Sequence, residues 1–199
     1  MKSWAVPGFV LLSLIACDRP QAPRNAQVFG PSEAGLVLGY ENPNLPEAER
    51  LNERVQLRVD ATNAVEGGLD IQATLSSLHS QVPQRLFLRR GGVAVWDGKM
   101  IIQTMLPEGF PQVQAWEGKE TVSRQVGRAQ AEAGIPLPPG SDRIGYWVET
   151  QDKAQPDVKI RCLFVADIGL VETRIWKDGK WIQVQRLASR MFTDTPKNR

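Results

Sequence analysis

The chain has little of what chemistry at a protein site most often uses. One histidine, His79, and two cysteines, Cys17 and Cys162, stand among 199 residues. A single imidazole excludes any site built on two, and no HExxH pattern occurs. Two cysteines are too few for a disulfide framework or a cysteine-rich zinc module. Charge of one sign is lacking as well: 24 Lys and Arg oppose 22 Asp and Glu, a formal net charge of +2. That excludes the strongly basic face with which nucleic acid is held. No apolar run reaches the ~20 residues a helix needs to span a bilayer.

Short motifs are equally sparse. Gly91, Gly92 and Gly98 lie between strand-like runs with no helix behind them, so they form hairpin turns and not a phosphate cradle. No G-x-S-x-G elbow is present; Ser32, between Gly30 and Gly35, is spaced one residue too long. Asp142, Asp152 and Asp157 are scattered through turns without the oxygen-ligand spacing of a calcium loop. His79 precedes Pro83 at the end of a strand and reads as an exposed turn residue. Cys162, between Ile160 and Phe164, reads as a small buried hydrophobe. Arg85, Arg89 and Arg90 form a small basic cluster, either a solvated sheet face or a contact for an anionic headgroup. No catalytic residue, metal or cofactor is expected, and the folded part is not expected to be an enzyme.

What the chain does have begins at its start. Met1 and Lys2 precede an apolar run, Ala5–Ile15, and polar sequence follows at once. An apolar run of 11 residues suits the core of a secretory signal better than a spanning helix. Its end, Leu14-Ile15-Ala16-Cys17, resembles the lipobox of bacterial lipoproteins. The resemblance implies a signal peptide over 1–16, cleavage before Cys17 and a diacylglyceryl group on the Cys17 sulfur. Partnership with a membrane through that lipid anchor follows, with the domain facing the periplasm or the exterior. Asp18 resembles the inner-membrane retention signal of enteric lipoproteins. Residues 17–27, with Pro20 and Pro23, are expected to be a lipidated flexible tether.

Beyond the tether, residues 28–192 are expected to fold as one β-rich domain, with a disordered tail over 193–199. Period-two patterning dominates. Leu36, Leu38 and Tyr40 alternate with Val37 and Gly39; Val55, Leu57 and Val59 with Gln56 and Arg58; Leu69, Ile71, Ala73 and Leu75 with Asp70, Gln72 and Thr74. Runs at 86–90, 93–96, 99–105, 144–150, 159–165, 170–176 and 181–187 complete ten strands. Asp97-Gly98 and Asp178-Gly179 mark hairpins, since a type I′ turn needs positive φ at both central positions. The second hairpin sets Trp176 opposite Trp181 and Lys177 opposite Lys180. One helix is expected over Glu120–Ala133, from the stripe Val122, Val126, Ala129 and Ala133, and a shorter one after Pro46. The fold class is therefore α+β, mostly antiparallel: a curved sheet or open half-barrel of about nine or ten strands around one helix.

Two segments carry a further resemblance. Arg161–Arg174, where an aromatic strand turns into Gly169-Leu170-Val171, and Phe29–Tyr40, where an aromatic precedes a glycine and a strand, are similar to parts of uncharacterised bacterial envelope proteins. The folds of those proteins resemble the open barrel of LolA/LolB-type lipoprotein carriers. The match supports the architecture and carries no catalytic residue. Five tryptophans remain once Trp4 leaves with the signal. They either fill the core or line a cavity, and Trp96, Trp116 and Trp147 are the candidate lining. The expected partner is a hydrophobic ligand in the concave sheet or, alternatively, another envelope protein.

In a bacterial host, radiolabelled palmitate is expected to enter the protein at Cys17. The Cys17→Ser chain should be unlabelled and lose its bilayer association, and an equally membrane-bound serine variant would refute the anchor.

Overall fold

The structure, a computed structural model, describes residues 27–193. The signal, Cys17 and the tether to residue 26 lie outside the described residues, as does the tail from 194. Twelve strands form a single sheet: β1 (Leu36–Glu41), β2 (Val55–Val65), β3 (Gly68–Ser76), β4 (Gln81–Leu88), β5 (Val93–Trp96), β6 (Ile101–Leu106), β7 (Ala115–Glu117), β8 (Thr121–Gln130), β9 (Ile144–Asp152), β10 (Lys159–Val165), β11 (Gly169–Lys177) and β12 (Lys180–Phe192). The one helix among the described residues, α1 (Glu47–Asn52), lies between β1 and β2 and buries none of its residues.

The order across the sheet is β6-β5-β4-β3-β2-β1-β12-β11-β10-β9-β8-β7. Every strand pairs antiparallel with its neighbours in sequence except β6 with β7, while the first and last strands pair with each other. This is an up-and-down barrel left open at one seam. A flat sheet of twelve strands at ~4.8 Å spacing would be about 53 Å wide. The chain crosses from one edge to the other in the eight residues 107–114, a reach of roughly 30 Å. The sheet must therefore bend until its edges approach.

One end of the barrel is closed by a plug. Phe110, in the edge-to-edge link, packs edge-on against Phe29 (5.0 Å between centroids), Tyr146 (5.6 Å) and Trp116 (6.2 Å). The segment preceding β1 crosses this end: the Asp167 amide donates to the Val28 carbonyl at 2.6 Å, and Gly30 lies against Leu88. The β8–β9 connection tucks in Ala131 and Ile135, and Arg143 donates to the carbonyls of Ala131, Glu132 and Ile135. Leu36, Leu38, Val59, Ile71, Leu88 and Leu106 complete the buried core. Tyr40 reaches over β12 to donate its hydroxyl to the Leu170 carbonyl at 3.0 Å; burial pushes that phenol well above its ordinary value.

The mostly antiparallel, open architecture is the one expected from sequence, with two differences. Glu120–Ala133 is not helical: Thr121–Gln130 is strand β8, and the rest begins the β8–β9 connection. The Val/Ala stripe at helical spacing is coincidental; β-branched Thr121, Val122 and Val126 suit a strand, and pairing with β9 overrides weak local preference. Gly127, at φ 155°, sits where the β8–β9 register shifts, the place a bulge uses glycine. The other added strand, β7, has only three residues, too few for a periodic signal.

Both hairpin signals hold, by different turns. Asp178 and Gly179 have φ 52° and 74°, and Trp176 faces Trp181 with rings 5.2 Å apart. At Asp97-Gly98 the register pairs Trp96 with Ile101, so the loop has four residues. Asp97 closes it by accepting the amides of Lys99 and Met100 at 2.8 and 2.9 Å.

The plug depends on one close approach. Gly91 has φ 71°, and a Cβ there would lie 2.0 Å from the Phe110 carbonyl oxygen. Gly91→Ala is expected to cost at least about 2 kcal/mol, from strained backbone and displaced Phe110 together. Urea unfolding checks this; an unchanged midpoint would mean the link does not rest on that turn.

Candidate functional site

Register assigns the two faces of the sheet. On the concave face, one row crosses six strands: Trp116, Ser123, Thr150, Ile160, Ile175 and Ile182 are successive Cα partners. The next row toward the plug runs Gln125, Val148, Cys162, Thr173 and Gln185. On the other half, Leu38, Leu57, Leu75 and Val82 form a corresponding row. Away from Trp116, which packs on Phe110 in the plug, the isoleucine, Leu57, Leu75 and Val82 positions lie toward the opposite end. Ile175, Ile182, Leu57 and Leu75 are half-buried, and Ile160 and Val82 are exposed.

The row through Leu38 continues onto β12 at Arg190, its one charged member. The other polar members are hydroxyls, amides, a thiol and one indole, and Trp116 Nε1, Gln125 Oε1 and Arg190 Nε are buried without a hydrogen-bond partner. Ser123 and Thr150 satisfy each other at 2.9 Å. The Cys162 thiol is pushed up to about 11 by burial, against a weaker opposing hydrogen bond with Thr173. A thiol so protonated is a poor nucleophile.

Charge collects on the convex face. Across β8 to β12 a row reads Arg124, Glu149, Arg161, Arg174 and Gln183. Glu149, 5% exposed, accepts from Arg124 at 2.7 Å and from Arg161 at 2.9 Å. Arg174 and Arg161 are direct neighbours, which like charges resist. Each is drawn aside: Arg174 to Glu172 at 2.5 Å and over the Trp147 ring, Arg161 to Glu149 and over the Trp181 ring. The other half repeats the device. Asp70, 2% exposed, accepts from Arg85 at 2.8 and 2.6 Å and from Trp96 Nε1 at 3.0 Å.

The three candidate tryptophans are thus not brought together. Trp96 is on the convex face, stacked on Phe87 with Arg85 over its ring. Trp147 lies on the same face under Arg174, and Trp116 alone is on the concave side. Of the basic cluster, Arg85 serves Asp70 and Arg89 pairs with Glu108 at 3.3 Å. His79 is exposed in the turn that Ser77 and Ser80 close. Asp142 and Asp152 cap turns, accepting the amides of Ile144 and of Ala154 and Gln155. Among the described residues no three of His, Cys, Asp or Glu gather as a metal site, and no helix is long and apolar enough to cross a membrane. The isoleucine row and the Arg–Glu ladder escape sequence reasoning. Their signal is present, as Ile160, Ile175 and Ile182 or Glu149 and Arg161 inside strands, but only register aligns them.

The convex pairs set the acid limit of stability. Arg85, opposed by burial and aided by Trp96, holds the Asp70 carboxyl below its ordinary value. Burial raises the Glu149 carboxyl, but hydrogen bonds from Arg124 and Arg161 together outweigh it and leave it lowered. Groups lowered on folding stabilise fully above their unfolded values and lose that contribution as pH falls through the folded ones. Asp70→Asn and Glu149→Gln are each expected to cost about 1–2 kcal/mol at pH 7, the exposed arginines keeping the figure small. Each should also flatten the loss of stability below about pH 4. Urea melts from pH 3 to 7 read both effects, and parallel wild-type and variant curves would contradict them.

No protein-family model and no curated protein matches the chain. Two solved structures do. One, from Parabacteroides distasonis, is described as a lipoprotein: 10% identity, 84% of this chain and 100% of that one covered, TM-score 0.47. The other, from Bacteroides fragilis, is described as exported and of YmcC-like fold: 10% identity, 83% of this chain and 99% of that one, TM-score 0.52. At that identity the second likeness speaks for the fold alone, and the open twelve-stranded sheet is similar to the YmcC-like one.

Proposed function

We propose that this chain is a bacterial envelope lipoprotein, anchored through Cys17, whose non-catalytic domain takes an apolar chain of a lipid onto its concave face. The observation that carries the reading is the row Ile160, Ile175 and Ile182, in register and left partly open to solvent at the unplugged end. Three adjacent isoleucines there forgo burial that each would otherwise gain at about 25 cal/mol per Å2, and such surface marks a binding place. Leu57, Leu75 and Val82 continue it on the other half of the same face. The lipobox supports the anchor. The protonated Cys162 thiol and the arginine-bound carboxylates support a non-catalytic role, since both are held away from the states that acid–base or nucleophilic chemistry uses.

A second reading, docking of another envelope protein, has its own observation. Met100, Ile101 and Ile102 are exposed at the β6 edge, Ile102 to 66%. The register shifts that leave Ile102 and Met105 without partners on β5 weigh against strand addition there, because bulges blunt an edge.

Cys162 offers the test. In the full chain carrying Cys17→Ser it is the sole thiol, and it sits in the row beside the isoleucines. A fluorescent acyl-chain probe is expected to bind and to slow maleimide modification of Cys162 several-fold. Ile175→Glu should abolish both effects with the far-UV spectrum unchanged. No binding, or a modification rate indifferent to saturating probe, would end the lipid reading in favour of the docking one.

A further inference from the structure

The two ends of the barrel differ in what their connections expose. Strands that run up and down put the β1–β2, β3–β4, β5–β6, β7–β8, β9–β10 and β11–β12 connections at the unplugged end. Four of them carry an exposed large apolar side chain, Leu51, Leu78, Met100 and Val158, of which Val158 at 48% is the least exposed. Among the other exposed large apolar residues, Val113, Met191 and Phe192 lie toward the plug and Val126 lies within β8. All the rest stand within two residues of an unplugged-end connection. Lysine is sorted the same way. Every lysine of residues 27–193, namely Lys99, Lys119, Lys153, Lys159, Lys177 and Lys180, lies in or beside those connections, whereas arginine is spread over the sheet.

Apolar residues exposed singly need no explanation, but a ring of them on successive connections marks a surface that something covers. The anchor identifies what. Cys17 and Val28 are eleven residues apart, a reach of about 36–40 Å. Val28 enters at the plug end, where its carbonyl accepts the Asp167 amide. Strands β9 and β10, nine and seven residues long, run about 23–30 Å from one end to the other. The chain that holds the lipid is therefore long enough to pass the depth of the barrel, and the unplugged end can meet the bilayer in which that lipid sits. Resting on the lipid reading above, we infer that this end is a membrane-docking rim. Leu51, Leu78, Met100 and Val158 dip among the lipid head groups, and Trp176 lies at the interface that indoles favour. The lysine stems cover apolar surface while their ammonium groups stay at the level of the phosphates. Glu47, Glu49 and Glu53 around α1 and the aspartates of the turns offset the lysine charge, so burial of apolar surface holds the rim and anionic lipid is not required. Mounted in this way, the concave face opens on the bilayer, and an acyl chain reaches Ile160, Ile175 and Ile182 without crossing water.

The test uses the lipidated chain reconstituted in vesicles of phosphatidylethanolamine with a minor fraction of phosphatidylglycerol. Cys162→Ser removes the one thiol that lipidation leaves free. In that background Leu78→Cys, Met100→Cys and, at the plug end, Gln112→Cys each carry a fluorophore, and lipid spin-labelled near its head group quenches whichever label it meets. The two rim labels are expected to be quenched about threefold or more and the Gln112 label to stay bright, at low and high salt alike. Adding Leu51→Glu and Val158→Glu should return the Met100 label to the Gln112 level with the far-UV spectrum unchanged. Quenching at Gln112 with bright rim labels would overturn the docking, and so would bright labels at all three positions, the result expected if the rim meets a protein instead. Quenching abolished by salt would overturn apolar insertion in favour of attraction to charged head groups. Protection of Cys162 by the acyl-chain probe is read separately, in the chain that keeps this thiol. Protection with a bright rim would overturn the docking alone, whereas a quenched rim without protection would uphold the docking and end the lipid reading.

Discussion

The shortness of the link between β6 and β7 is the constraint from which the rest follows. Eight residues join strands that stand at opposite edges of a twelve-stranded sheet, and they allow only a strongly bent solution. Phe110 turns that geometric demand into packing. It stands edge-on to Phe29 and Tyr146, which come from the segment before β1 and from β9, so one ring holds three parts of the chain that are distant in sequence. Edge-on aromatic pairs of this kind add about 0.5–1.5 kcal/mol each beyond area burial. Because the link, the leading segment and the β8–β9 connection all fall at one end, that end fills. The other end is crossed by tight turns and by α1, which buries nothing.

A bent sheet makes its two faces unequal, and the chain uses the inequality to sort its polar groups. The convex face has room for long side chains to lie flat, and arginines there cover tryptophan rings while their guanidinium groups reach buried carboxylates. Glu149 and Asp70 show the same solution on the two halves, each carboxylate at 5% exposure or less with arginine above it. The concave face, crowded by its own curvature, takes short or branched residues: isoleucine, threonine, serine, glutamine. Nothing in this sorting requires a catalytic centre. It yields a charged exterior and a mostly apolar interior in one layer of backbone, with Arg190 opposite Leu38 and Arg128 opposite Tyr146 as the charged exceptions on the inner face.

Much of this architecture is legible in the order of residues. Alternation at 36–40, 55–59 and 69–75, the two Asp-Gly turns, and the β-branched runs at 144–150 and 159–165 point to ten strands and their antiparallel order, because local patterns determine local pairings. Features that depend on register across several strands are not legible. Ile160, Ile175 and Ile182 are ordinary singly and become a surface only when β10, β11 and β12 align. Trp96 and Trp147 look like cavity lining by type, yet parity places them under arginines on the other face. The β8 strand is hidden because Val122, Val126 and Ala129 fit a helix as well as a strand, and a single segment carries no record of the partner that decides between them. The closure of β1 on β12 is equally non-local, and no turn signals it.

The sheet stays open between β6 and β7, and the irregularity of those two edges accounts for it. β7 offers only three residues for pairing, and β6 carries two register irregularities against β5, so neither edge presents a regular run of free amides and carbonyls to the other. An edge interrupted in this way resists adding a strand, whether from a foreign chain or from its own opposite margin. The Trp116 indole N–H stands on the β7 edge itself, buried and without a partner. A closed barrel of the same strands would have to satisfy that N–H from within.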